Sequence, residues 1–176
     1  MMKNIYLACG AVAVVSLAAC QSMEQGTGQK ASANLESRSS SNAKGSVNFI
    51  WQGNDVLVTG NFSGLKPNSE HGFNVHEKGD CSSGDGMSTG GHFNPTGHAH
   101  GAHGQGMHHA GDLPSLAADA QGVARFSFET TSLTVGQGAT DVVGRGLIVH
   151  RDPDDFKTQP TGNSGARIAC AVITRS

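Results

Sequence analysis

From residue 44 onward the apolar positions recur at spacings that suit strands and not helices. Val47-Asn-Phe49-Ile-Trp51 alternates apolar and polar side chains, and Val123-Ala-Arg-Phe126-Ser-Phe128 does so more loosely. A strand points successive side chains to opposite faces, so this alternation predicts sheet with one face buried. Asp55-Val-Leu-Val-Thr59, Gly72-Phe-Asn-Val-His76, Gly146-Leu-Ile-Val-His150 and the run from Arg167 to Ile173 are further predicted strands. Gly60, Gly64, Pro67-Asn68, Gly122 and Gly136-Gln-Gly138 punctuate them as turns. After position 44 no stretch of ten or more residues keeps a 3.6-residue period free of glycine. The pattern predicts an all-β fold, an antiparallel sandwich or barrel with long functional loops.

The N-terminus has a different character. Met1-Met2-Lys3-Asn4 is a short positive region ahead of the apolar stretch Ile5 to Ala19, the form of a secretory signal over residues 1–19. It ends in Leu17-Ala18-Ala19-Cys20, which resembles the bacterial lipobox. That resemblance implies cleavage before Cys20 and lipidation of its sulfur, while Cys9 leaves with the signal. Gln21 in place of Asp resembles lipoproteins sorted to the outer membrane. The expected setting is a bacterial cell envelope, anchored through Cys20 and facing the periplasm. Residues 20–43, rich in Ser, Gln, Gly, Asn and Ala, read as a flexible lipid-anchored tether, since such composition buries too little surface to order itself. Residues 44–176 are then the single folded domain. Removing residues 1–19 takes away only Lys3, so 11 basic residues stand against 14 acidic ones, a net charge of −3. No basic stripe is visible, and no nucleic-acid partner is expected.

Two cysteines remain in the expected domain, Cys81 and Cys170. An even count in an oxidising compartment argues for one disulfide between them. It would close a loop of about 90 residues, worth about 4–5 kcal/mol by chain entropy. The alternative is a metal ligand or free nucleophile, although neither cysteine sits in a Cys-x-x-Cys pair or beside a base. The densest chemistry lies between. His92, His100, His109 and Asp112 are 8, 9 and 3 residues apart on a glycine-rich loop. Three imidazoles and a carboxylate are the ligand set of a tetrahedral zinc site, and glycine lets the loop fold back so that they converge. His71 and His76 upstream and His150 downstream, each on a predicted strand, offer imidazoles for a second ion.

Five motifs in order now carry a family resemblance: His71-Gly-Phe-x-Val-His76-Glu-x-Gly-Asp-Cys81, Gly91-His92-Phe-Asn-Pro, His109-Ala-Gly-Asp112-Leu-Pro, Val149-His150, and Gly162-Asn-Ser-Gly-Ala-Arg167-Ile-Ala-Cys170. Together they resemble the copper/zinc superoxide dismutases, and the Gly-Asp-Cys placement resembles the bacterial periplasmic branch. The resemblance implies an eight-stranded Greek-key barrel with a zinc loop and an electrostatic loop, the sandwich architecture known for this enzyme. It implies zinc on His92, His100, His109 and Asp112, with His92 also bridging to copper. The other copper ligands would be His150 and both histidines of a His-x-His strand. Here that strand reads Asn74-Val75-His76, so one copper imidazole is an amide.

A neutral amide oxygen suits harder ions than copper, so the loss should weaken Cu(II) more than Cu(I) and leave zinc intact. Asp154 matches the carboxylate that links both metal sites and is expected to accept from the Asn74 amide and from His100. Arg167 matches the guanidinium that draws superoxide in, His92 the imidazole that releases copper and takes a proton, and Thr161 a residue that narrows the channel. His71 reads as structural. His98, His103 and His108 exceed the ligand pattern, either as solvated loop residues or as a metal-collecting patch. The implied activity is conversion of superoxide to dioxygen and hydrogen peroxide by a monomer or homodimer. The alternatives are a zinc-only, catalytically silent relative and a periplasmic metal-binding protein.

Overall fold

The computed structural model describes residues 28–176, which form ten strands, one single-turn 3-10 helix (Met87–Thr89) and no α-helix. The strands are β1 (Lys30–Ser37), β2 (Lys44–Trp51), β3 (Val56–Ser63), β4 (Glu70–His71), β5 (Phe73–His76), β6 (Leu116–Ala117), β7 (Ala124–Thr130), β8 (Gly146–His150), β9 (Arg167–Val172) and β10 (Thr174–Arg175). All pair antiparallel, in the order β5-β8-β9-β1-β2-β3-β7, with β10 also on β1. β4 pairs with β6. Because β4 runs on into β5, and β6 leads through a tight turn at Asp119–Val123 into β7, this short ladder brings the two ends of the sheet together. Counting β4 with β5 and β9 with β10 gives eight strands of a curled antiparallel sheet, the expected all-β barrel.

The breaks have local causes. At Gly72 the backbone comes so close to Ser164 and His150 that a Cβ would lie 2.9 Å from Ser164 Cβ, which only glycine avoids. Phe49, Phe62 and Phe73 are fully buried within the curl, and Phe73 packs edge-on against Phe62 and Phe126, at 5.7 and 5.4 Å between centroids. Each buried aromatic ring removes roughly 150–250 Å² from water, so this cluster is a large part of the core.

The expected tether over residues 20–43 needs correction. Lys30–Ser37 is a strand at the middle of the sheet, in register with β2 from Lys30↔Ile50 to Leu35↔Gly45 and with β9 at Glu36↔Cys170. Ala31, Ala33 and Leu35 point inward and are at most 2 % exposed. Alanine adds little hydrophobicity, so composition concealed the alternation. Alanine also fits where two halves of a sheet meet closely, and the folded domain begins near residue 30 instead of 44. The expected signal segment 1–19 and Cys20 lie outside the described residues.

Candidate metal centre

β5 is buried along its whole length, and its side chains divide by parity. Phe73 and Val75 join the core, while Asn74 and His76 face the loops that cover the sheet. One edge of β5 pairs with β8. Its other edge is taken by two short pieces of the 77–115 loop: Phe93 N–H donates to Val75 O (2.8 Å), and Val75 N–H donates to Gly111 O (2.9 Å). These contacts set His92 opposite His76 and Asp112 opposite Asn74 as isolated bridges. Backbone pairing thus brings ligands from distant parts of a flexible sequence onto one strand. The Cys81–Cys170 disulfide (Cα–Cα 5.9 Å) ties the start of the same loop to β9, as expected.

Two clusters result, and His92 belongs to both. In the first, the Nδ1 atoms of His92, His100 and His109 lie 2.8, 3.0 and 3.4 Å from Asp112 Oδ1. Asp112 Oδ2 accepts from the backbone N–H groups of His109 (2.9 Å) and Gly101 (3.2 Å), which fixes the carboxylate. His100 Nε2 is 2.9 Å from Asp154 Oδ1. A carboxylate only accepts, so His100 donates from Nε2, and its Nδ1 lone pair then faces the Asp112 oxygen. Two lone pairs at this range need a proton or a metal ion between them.

The electrostatics say the same. Burial opposes charge on His100, yet the hydrogen bonds to Asp112 and Asp154 outweigh it and raise its pKa to about 9. Burial also opposes charge on Asp112, and hydrogen bonds from His100, His109 and His92 hold it well below the usual carboxylate range. The set is tetrahedral in number and borderline in softness, which fits zinc.

In the second cluster the ligand atoms of His76, His92 and His150 lie within 4.8 Å of one another. His76 Nδ1 donates to Gly90 O (3.0 Å) and His150 Nδ1 to Gly165 O (3.3 Å), leaving each Nε2 with a lone pair. The Nε2 atoms of His76, His92 and His150 are buried with no hydrogen-bond partner among the described residues. Burial, reinforced by the neighbouring rings, pushes the His76 pKa well down and that of His150 to about 3. Neutral imidazoles with unused lone pairs are what a soft or borderline ion requires. Both polar atoms of the Asn74 amide are equally buried and unpartnered. The expected hydrogen bond from Asn74 to Asp154 is not made; Asp154 Oδ1 accepts from His100 and from Phe156 N–H instead.

Register places Arg167 opposite His150. Its Nη1 donates to Gly86 O (2.9 Å) and Thr89 Oγ1 (2.8 Å), and among the described residues Nε and Nη2 donate to no protein group. Thr89 is fully buried, with Oγ1 3.4 Å from His76 Nδ1, so it sits between the guanidinium and the cluster; nothing in the sequence singled it out. His71 holds the His150 carbonyl through Nδ1 (2.9 Å) and Ser69 Oγ through Nε2 (2.9 Å), a supporting role as expected. Thr161 is half-buried, and its carbonyl accepts from Ser164 Oγ. His98 is exposed, and among the described residues neither it nor His103 or His108 joins a three-ligand cluster.

Comparison with known proteins agrees with this geometry. The family model described as copper/zinc superoxide dismutase (SODC) matches residues 43–173. A protein named Superoxide dismutase [Cu-Zn] from Paramecium bursaria Chlorella virus 1 is 42 % identical over 136 residues, covering 74 % of this chain and 72 % of its own. The crystal structure of the clock protein EA4 superposes with a TM-score of 0.76 at 35 % identity, covering 84 % of this chain and 95 % of that one. The family implies copper and zinc as cofactors, and the orphaned nitrogens of the two clusters fit that pair. The chain belongs to the copper/zinc superoxide dismutase family.

Proposed function

We propose that the protein is a superoxide dismutase with a weakened copper site. His92, His100, His109 and Asp112 would hold zinc, and His76, His92 and His150 would hold copper, with Asn74 where a fourth imidazole is missing. Copper, when bound, supplies the one-electron chemistry that takes one superoxide to dioxygen and a second, with two protons, to hydrogen peroxide. Arg167 binds and orients the anion with the donors that the protein leaves free, and a fixed cation raises anion on-rates whatever the net charge. His92 is the proton-holding group, because its Nδ1 is fixed toward Asp112 while its Nε2 is unpartnered. The observation that supports this reading most is the convergence of three unpartnered Nε2 atoms beside a buried arginine.

The test is Asn74→His, with metal counted by mass spectrometry and superoxide removal assayed after copper reconstitution. Copper occupancy and rate should rise together; no rise in either would overturn the weakened-ligand reading. A second reading, a zinc-only and catalytically silent member, is favoured by one fact: the Asn74 amide is buried with neither polar atom satisfied. Copper-loaded wild-type protein that is inert beside an active Asn74→His variant would select it. We also propose that a lipid on Cys20 anchors the domain in a bacterial envelope, facing the periplasm and most consistent with the outer membrane. Cys20→Ala should move the protein from the detergent phase to the aqueous phase, and an unchanged partition would rule the anchor out.

A further inference from the structure

Two histidines outside both clusters are prepared for a metal in the same manner as the ligands inside them. His103 Nδ1 is 2.9 Å from the Asp112 carbonyl oxygen, and His108 Nδ1 is 2.7 Å from the His109 carbonyl oxygen. A carbonyl can only accept, so both rings carry hydrogen on Nδ1 and a lone pair on Nε2. Ligating imidazoles are oriented this way, by a partner on the nitrogen away from the metal. The ring centroids are 5.3 Å apart. Among the described residues His103 Nε2 makes no hydrogen bond, while His108 Nε2 accepts from Gly104 N–H (3.3 Å) and lies 3.4 Å from Ser132 Oγ, contacts that a metal ion would replace.

The two rings share a cleft with Asp55, from the turn between β2 and β3, and with Glu129 on β7. Asp55 Oδ1 is buried and unpartnered among the described residues, and Glu129 is exposed and able to swing. We propose that His103 and His108, with the Glu129 carboxylate as third ligand and Asp55 supplying further negative charge, bind an additional divalent cation of the zinc class. Two imidazoles, a carboxylate and a water make a borderline donor set suited to that ion. The site is peripheral to the metal centre but mechanically joined to it, since the carbonyls that orient its two rings belong to Asp112 and His109. His98, also exposed, does not line that cleft.

The test uses the full-length chain with zinc as the only added metal, titrated to saturation and then counted by mass spectrometry. The His103→Gln/His108→Gln double variant should hold one zinc fewer per chain than wild type, lost from the weakest class of sites. An equal count would overturn the proposal, leaving two solvated rings. Loss of a tightly held zinc with the weak class intact would overturn it too, because the rings would then serve only the inner loop. Glu129→Gln, on β7 and outside the sequence of that loop, separates ligation from misfolding. It should weaken the weak class several-fold and leave the tight class untouched; an unchanged weak class would remove Glu129 from the site. No arm depends on dismutase activity.

Discussion

The two clusters meet where the 77–115 loop pairs with β5 and share His92, yet they differ in completeness. In the cluster around Asp112 the rings have a counter-charge: Asp112 faces three imidazoles, its second oxygen is held by two backbone amides, and His100 is braced by Asp154. In the cluster of His76, His92 and His150 three ring nitrogens converge without hydrogen-bond partners, and the Asn74 amide on the same strand as His76 is likewise unpartnered among the described residues. Loop backbone, locked to a strand, builds the first. Two strand residues and the shared His92 build the second, so a substitution at Asn74 is felt there directly and reaches the first through His92 and through Asp112, its bridge partner. The difference teaches that a shared ligand need not mean shared fragility.

Four measurements would break or sharpen this contrast. The largest effect is expected for Asp112→Ala, which removes a carboxylate from the cluster, leaving His109 without its counter-charge and His100 with Asp154 alone. Zinc affinity should fall by more than the roughly 10- to 100-fold that loss of an outer partner costs. Copper binding to His76 and His150 should fall less, and equal losses in a competition titration would show that the clusters are one unit. Asp154→Asn comes next, removing the charge that braces His100. Zinc affinity should drop by roughly 10- to 100-fold, with copper affinity nearly unchanged because Asp154 makes no bond to Asn74.

The smallest effect is on stability against pH in the metal-free protein. His150 titrates near 3 when folded and near 6.5 when unfolded, and His76 shifts in the same direction. Folding with these groups neutral stabilises the protein above about pH 6.5, and that contribution is lost as pH falls toward 3. His100 runs the other way: its contribution is full below 6.5 and lost as pH rises through about 9. Metal-free melting temperatures should therefore decline on both sides of neutrality, and a curve flat on the acid side would contradict the buried, neutral state of His76 and His150. Zinc uptake, which must displace the His100 proton, should strengthen by about tenfold per pH unit up to that value.

Much of this was legible in the chain. Strands β2 and β7 follow from period-two alternation, β3, β5, β8 and β9 from short apolar runs bounded by turns, and the gathering of His92, His100, His109 and Asp112 from their spacing on a glycine-rich loop. β1 was not, because Ala31 and Ala33 give alternation without hydrophobic weight. The failure of Asn74 to reach Asp154 was also hidden, since a shorter amide at an imidazole's position changes reach, and reach is a property of coordinates. Gly162 is a further case. Its φ is +65°, and a Cβ there would run into Asp154 Oδ1 and sit 2.6 Å from His100 Nε2, so a residue that reads as a turn is the clearance behind the zinc brace.

The central position of β1 has a mechanical consequence. Six successive residues, Lys30 to Leu35, are paired to β2, and the strand is held at its ends by β10 and β9 as well. A pull applied ahead of Lys30 therefore loads those pairs together in shear, instead of peeling them one by one. The end of the chain that would be tugged is the one riveted into the wall of the barrel.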